Sequence, residues 1–142
     1  MPIPVEDRLA IADLLKAYCW AFDTGDADGV VACFTPKGAM KISSGERFDG
    51  RDAIRAFCRR DFASPQGRGR QHWIQEIDYR PQGAGWLLRS YWSVFIWNGP
   101  NDARQLRTIG HSTDLCVKQD GRWLIEERLL WRWNDKDQPW VG

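Results

Sequence analysis

The period of the apolar residues changes near residue 70, and that change limits the folds open to this chain. Before it, apolar side chains recur every three or four positions; after it come four long β-like runs, 70–80, 86–97, 104–118 and 122–133. Turn signals separate the runs: Gly83 to Gly85, Asn98 to Asn101, and Asp120-Gly121. Helices first and a strand meander afterwards predict an α+β fold, with helices covering one face of an antiparallel-rich sheet. Strands of ten or more residues exceed the usual length, so the sheet is expected to curve strongly and leave a conical pocket under the helices.

The helical part divides into three. Leu9, Ala12, Leu15, Cys19 and Phe22 mark one face of a helix over 5–23, closed by Thr24-Gly25. Asp26 is placed to cap a second, short helix through Phe34, stopped by Pro36. Short strands at 39–42 and 46–48 suit a hairpin, and a third helix follows over 51–62. Arg51, Arg55 and Arg59 fall on one face of that helix, most simply a solvated one. Ser64 to Gly69, with Pro and Gly and no apolar residue, is the best loop or lid candidate.

A chain of 142 residues, 43% apolar and with nine Trp, is expected to be a single domain with an ample core. A net charge of +1 argues against nucleic acid or a membrane surface as partner and favours small molecules. No charged segment followed by an apolar run opens the chain, and no apolar stretch approaches the roughly 20 residues that span a bilayer, so a cytoplasmic location is expected. Four single cysteines, Cys19, Cys33, Cys58 and Cys116, form no CxxC pair and read as free thiols.

His72 and His111 are the only histidines, both on expected strands. Imidazole titrates near neutrality, so each is a candidate proton carrier if it faces a cleft. Two histidines and a carboxylate would also suit a facial iron triad, but the local spacing lacks the usual close pair of ligands on one strand, so no metal is expected. Trp73, Trp92, Trp131 and Trp133 sit on expected strands and are candidate walls for an apolar cavity that takes an aromatic or polycyclic ligand.

The segments AFDTGDADGVVACFTP, RQHWI, GHSTDLCVKQDGRWLI and the closing WRW resemble the nuclear transport factor 2-like superfamily, and within it the SnoaL-like group that includes scytalone dehydratase. The resemblance covers nearly the whole chain. It implies a cone-shaped, cystatin-like α+β barrel, N-terminal helices packed on a strongly curved mixed, mostly antiparallel sheet, whose deep pocket does acid–base chemistry without metal or organic cofactor. It assigns catalytic positions to Asp23, His72 and His111. Similarity to scytalone dehydratase pairs Asp23 with His111, while similarity to the superfamily's dehydrochlorinases pairs it with His72; the sequence leaves both open. Phe22 stands where a tyrosine precedes the aspartate, a second tyrosine is replaced in the Lys41 to Ser43 region, and Leu130 replaces a polar residue. Tyr18, one helical turn before Phe22, is the available hydroxyl.

The expected activity is therefore that of a lyase, dehydratase-like, or an isomerase of an aromatic or polyketide-like small molecule, in a homodimer or homotrimer. In that scheme Asp23 orients a histidine, His72 is the general base, and His111 is the partner acid or second base. Tyr18, Phe22, Trp73, Trp92, Leu130, Trp131 and Trp133 would line the substrate. The β subunits of aromatic-ring-hydroxylating dioxygenases share the cone and a similar RTIG and QDGRWLIEERLL ending. A non-catalytic structural partner is thus the alternative, as is a small-molecule binding protein.

Overall fold

A computed structural model describes residues 2–67, 69–97 and 103–133, with only the backbone at Glu76. The expected turn at 98–101 and the tail Gln138-Pro139-Trp140 lie outside the described residues, as does Arg68 of the expected loop. Three helices, α1 (Val5–Thr24), α2 (Ala27–Ala32) and α3 (Arg51–Ala63), accompany strands β1 (Phe34–Lys41), β2 (Arg47–Asp49), β3 (Arg70–Gln82), β4 (Gly85–Ile96), β5 (Gln105–Gln119) and β6 (Arg122–Arg132). One sheet holds all six strands in the order β2-β1-β6-β5-β4-β3. Every pairing is antiparallel except β1 with β6, so the sheet is mixed as expected.

Register shifts interrupt four of the five pairings, between Phe34/Ala39, Gln75/Asp78, Val94/Phe95 and Leu115/Cys116. Each bulge bends its strand and adds twist, which curls strands of this length into a cone. The helices close the concave side.

Helix α1 buries Ile11, Leu15, Tyr18 and Phe22, while Leu9 is 61% exposed, so the buried stripe lies one register away from the expected Leu9 face. Gly25 ends the helix in the left-handed conformation at φ 78°, donating its N–H to Ala21 and Phe22 carbonyls. Immediately afterwards Asp26 caps α2, accepting from the Gly29 N–H at 2.8 Å. This short reversal holds the last turn of α1, with Phe22 and Asp23, against the sheet. Helix α2 stops at Ala32, and Pro36 instead lies inside β1, which starts five residues earlier than expected. The buried Phe34 pairs with Ile125, and the bulge before Ala39 accommodates the proline.

The arginine face of α3 is only partly solvated. Arg51 donates two hydrogen bonds to the Phe34 carbonyl at 2.6 and 3.0 Å, and Arg55 bridges to Asp28 at 2.8 Å. These contacts tie α3 to β1 and α2. No helix among the described residues is long and apolar enough to cross a membrane.

Candidate functional site

Asp23, in the last turn of α1, reaches the first residues of β3 with both carboxylate oxygens. Oδ2 accepts from the His72 backbone N–H at 2.7 Å, and Oδ1 holds the ring Nδ1 of His72. The two side chains retain only 14% and 21% of their exposure, so the dyad is sheltered yet open to a small ligand. A carboxylate on Nδ1 fixes that nitrogen as the protonated one and directs Nε2 outward as the acceptor. Phe22 meets the His72 ring edge-on at 5.2 Å, and the Arg70 guanidinium lies 5.0 Å from the Phe22 ring centre. Phe22 thus supplies an apolar wall where a tyrosine would supply a hydroxyl.

Through His72 the dyad borders a cavity of about 210 Å³ between the concave sheet face and helices α1 and α3, with Asp23 behind the imidazole. Tyr18, Cys19 and Phe22 come from α1, Phe57 and Asp61 from α3, Ile74 and His72 from β3, and Trp92 and Val94 from β4. Arg128, Leu130 and Arg132 line it from β6. Burial pushes the Cys19 thiol up to about 12, so it sits in this wall as a neutral group. The Tyr18 hydroxyl points to the Met40 sulfur at 3.6 Å, and burial drives its acidity well below that of ordinary phenol.

A buried ion pair underlies the cavity. Arg128 is 1% exposed and Asp114 0%, and they stand directly opposite each other in the β5–β6 register. Nη1 donates to Asp114 Oδ1 at 2.7 Å, while Ser112 donates to Oδ2 at 3.1 Å and shares a 2.9 Å hydrogen bond with Ser90. Burial pushes the Asp114 carboxyl up from its ordinary range, and the Arg128 charge opposes that rise. Desolvation is the largest single influence and works against the Arg128 charge, but Asp114, Tyr18 and Cys19 together overcome it and keep the guanidinium protonated. Tyr18 lies 4.5 Å from that guanidinium, and the Arg128 Nε has no hydrogen-bond partner among the described residues. A buried N–H donor left open costs stability unless a ligand or water engages it.

Arg128, Asp114 and Arg70 were not among the expected site residues. The sequence carried no distinct signal for them: Asp114 follows Ser112 and Thr113, Arg128 follows Glu126 and Glu127, and Arg70 ends a polar loop, so each reads as a solvated residue.

His111 is not brought to the dyad. Along β5 the buried positions are Gly110, Ser112, Asp114 and Cys116, so the odd-numbered His111 projects from the other sheet face. There it stacks on Trp131 at 5.0 Å, and its Nδ1 accepts from Trp133 Nε1 at 2.8 Å. The three-residue constellation therefore reduces to Asp23 and His72. The same alternation corrects the expected wall: Tyr18, Phe22, Trp92 and Leu130 border the cavity, whereas Trp73, Trp131 and Trp133 lie on the convex side. Trp73, Tyr91 and Ile109 leave 46%, 50% and 41% of their surfaces exposed there. Among the described residues, no group of three His, Cys, Asp or Glu side chains gathers as a metal-ligand set.

A family model described as a SnoaL-like domain matches residues 4–129. No functionally curated protein gives a significant sequence match. Among solved structures, a protein of unknown function from Mycobacterium tuberculosis superposes with TM-score 0.83 at 27% identity, over 98% of this chain and 84% of that one. ActVI-ORFA from Streptomyces coelicolor has TM-score 0.80 at 21% identity, covering 90% and 98%. A provisionally assigned scytalone dehydratase from Novosphingobium aromaticivorans has TM-score 0.76 at 19% identity, covering 92% and 86%. Another similar structure is described as having a cystatin-like fold, which is the cone seen here.

Proposed function

The chain belongs to the SnoaL-like domain family, and on that footing we propose that its cavity is the active site of a lyase or isomerase acting on an aromatic or polyketide-like small molecule. The observation that carries the reading is the Asp23–His72 dyad on the wall of a cavity floored by a buried arginine. Asp23 holds the proton on Nδ1, and Nε2 of His72 takes a proton from carbon next to a carbonyl. The electron pair moves onto the carbonyl oxygen as an enolate, and the Arg128 charge stabilises it. The protonated His72 then returns its proton, either to another carbon, giving isomerisation, or to a leaving hydroxyl on the same face, giving syn elimination of water. General acid–base catalysis of this kind contributes about two to four powers of ten. One histidine serves both steps, so His111 has no part in this scheme.

The acid–base set comes entirely from the protein's own side chains. The aromatic convex face belongs to the same reading as the surface through which two or three copies associate.

The test is solvent-deuterium exchange at carbon next to the carbonyl of enolisable bicyclic aromatic ketones, 2-tetralone among them, followed by NMR. Wild type should accelerate exchange, and His72→Ala and Asp23→Asn should lose that acceleration while keeping their folds. Equal exchange by wild type and His72→Ala would remove the mechanism. Binding of the ketones without any acceleration would leave a binding protein built on the same cavity.

A further inference from the structure

Four arginines border the cavity, Arg70, Arg107, Arg128 and Arg132. Asp61 neutralises Arg70, and Asp114 neutralises Arg128. The other two have no carboxylate within ion-pair reach among the described residues. Arg107 donates Nη1 to the Gln66 carbonyl at 2.8 Å, which orients the guanidinium without cancelling its charge. Arg132 is exposed at the end of β6 on the same inward row as Arg128 and Leu130. The chain as a whole carries only +1, so this excess is local to the cavity.

An aromatic surface adjoins it. Arg132 pairs in register with Gly110, and the Trp92 indole lies so close over Gly110 that an added Cβ would meet its ring at 2.4 Å. The indole is fixed by its N–H, which donates to the His111 carbonyl at 2.8 Å. Apolar wall and unbalanced positive charge thus stand side by side.

We infer that the substrate is an aryl carboxylate, its ring against Trp92 and its carboxylate held at the rim by Arg107 and Arg132. Guanidinium groups suit this task because their N–H pairs match a carboxylate's two oxygens. The inference rests on the cavity being the substrate site, but it concerns recognition and is separable from the proton transfer at His72.

Binding of 2-naphthoate and of its neutral isostere 2-naphthamide, measured by calorimetry on the full chain, tests it. Wild type should bind the carboxylate at least tenfold more tightly, and the preference should shrink as salt is raised. In the Arg107→Gln/Arg132→Gln double variant the two probes should bind within twofold of each other. Arg59→Gln, which removes an exposed charge on α3 outside the cavity lining, should keep the preference. His72→Ala should also keep it, so loss of proton transfer and loss of recognition are read separately. Equal affinities in wild type, no measurable binding of naphthoate, a preference that survives the double substitution, or one lost equally in Arg59→Gln would each overturn the inference.

Discussion

Replacing Asp114 by Asn would leave the Arg128 guanidinium without a counter-charge in a place almost closed to bulk solvent. The two side chains are 2% and 0% exposed, and their N–O separation is 2.7 Å. Unit charges about 4 Å apart attract by about 4 kcal/mol at an effective dielectric of 20. Experience with buried pairs agrees, since removing one partner costs about 3–5 kcal/mol. The Asn carboxamide keeps the volume and an acceptor for Ser112, so the loss reports charge rather than packing. For a chain of this size the corresponding drop in melting temperature is about 10–20 °C. Urea unfolding followed by tryptophan fluorescence measures it, with an unchanged slope showing that the unfolding transition is otherwise the same. The double change Asp114→Leu/Arg128→Met should recover most of the stability, because an apolar pair of similar bulk needs no desolvation. It should not recover deuterium exchange. A loss below about 1 kcal/mol in Asp114→Asn would mean that the pair is not desolvated as the burial implies, and the reasoning would fail.

Two further changes probe the sheet faces. Gly110→Ala would put a Cβ 2.0 Å from the Trp131 carbonyl oxygen and 2.4 Å from the Trp92 ring. It should destabilise by about 1–3 kcal/mol in the same urea assay, and wild-type stability would show that the strand and indole yield freely. On the convex face, Tyr91→Ser with Ile109→Ser should convert an associated species to a 16.4 kDa monomer in sedimentation equilibrium. A wild type already monomeric at high concentration would contradict association through this face.

The period change at residue 70 was enough to place the first and third helices and the long strands, because it reflects backbone geometry directly, whereas the parallel β1–β6 pair that makes the sheet mixed has no mark in the period. Asp23 and His72 were legible through the family resemblance, which left Asp23 to pair with either histidine; the fold brings it to His72. What escaped was the phase of β5 and β6. Ordinarily the apolar members of an alternating strand face the core, but here Ser112, Asp114 and Arg128 are inside, while Trp131 stacks on the opposite side. With a buried ion pair on one face and an aromatic surface on the other the usual pattern is inverted, so the tryptophans read as cavity walls at Trp131 and Trp133 lie outside, and His111, which the resemblance put in the pocket, is turned away by the phase of β5. The first helix shows a milder form of the same problem: Leu9 and Ile11 compete for the stripe, and only the packing against the sheet selects Ile11.

The two hydrogen bonds of Asp23 have a consequence for stereochemistry. One carboxylate oxygen is committed to the backbone of β3 and the other to the imidazole, so neither group can turn without breaking a link between helix and sheet. The free ring nitrogen therefore approaches any ligand from a single direction, and the opposing wall carries no second histidine. Protons removed or delivered at a prochiral carbon would pass across one face only. A reaction run on this frame would select one of two enantiotopic protons, with the choice set by the turn at Gly25 that holds the end of the first helix in place.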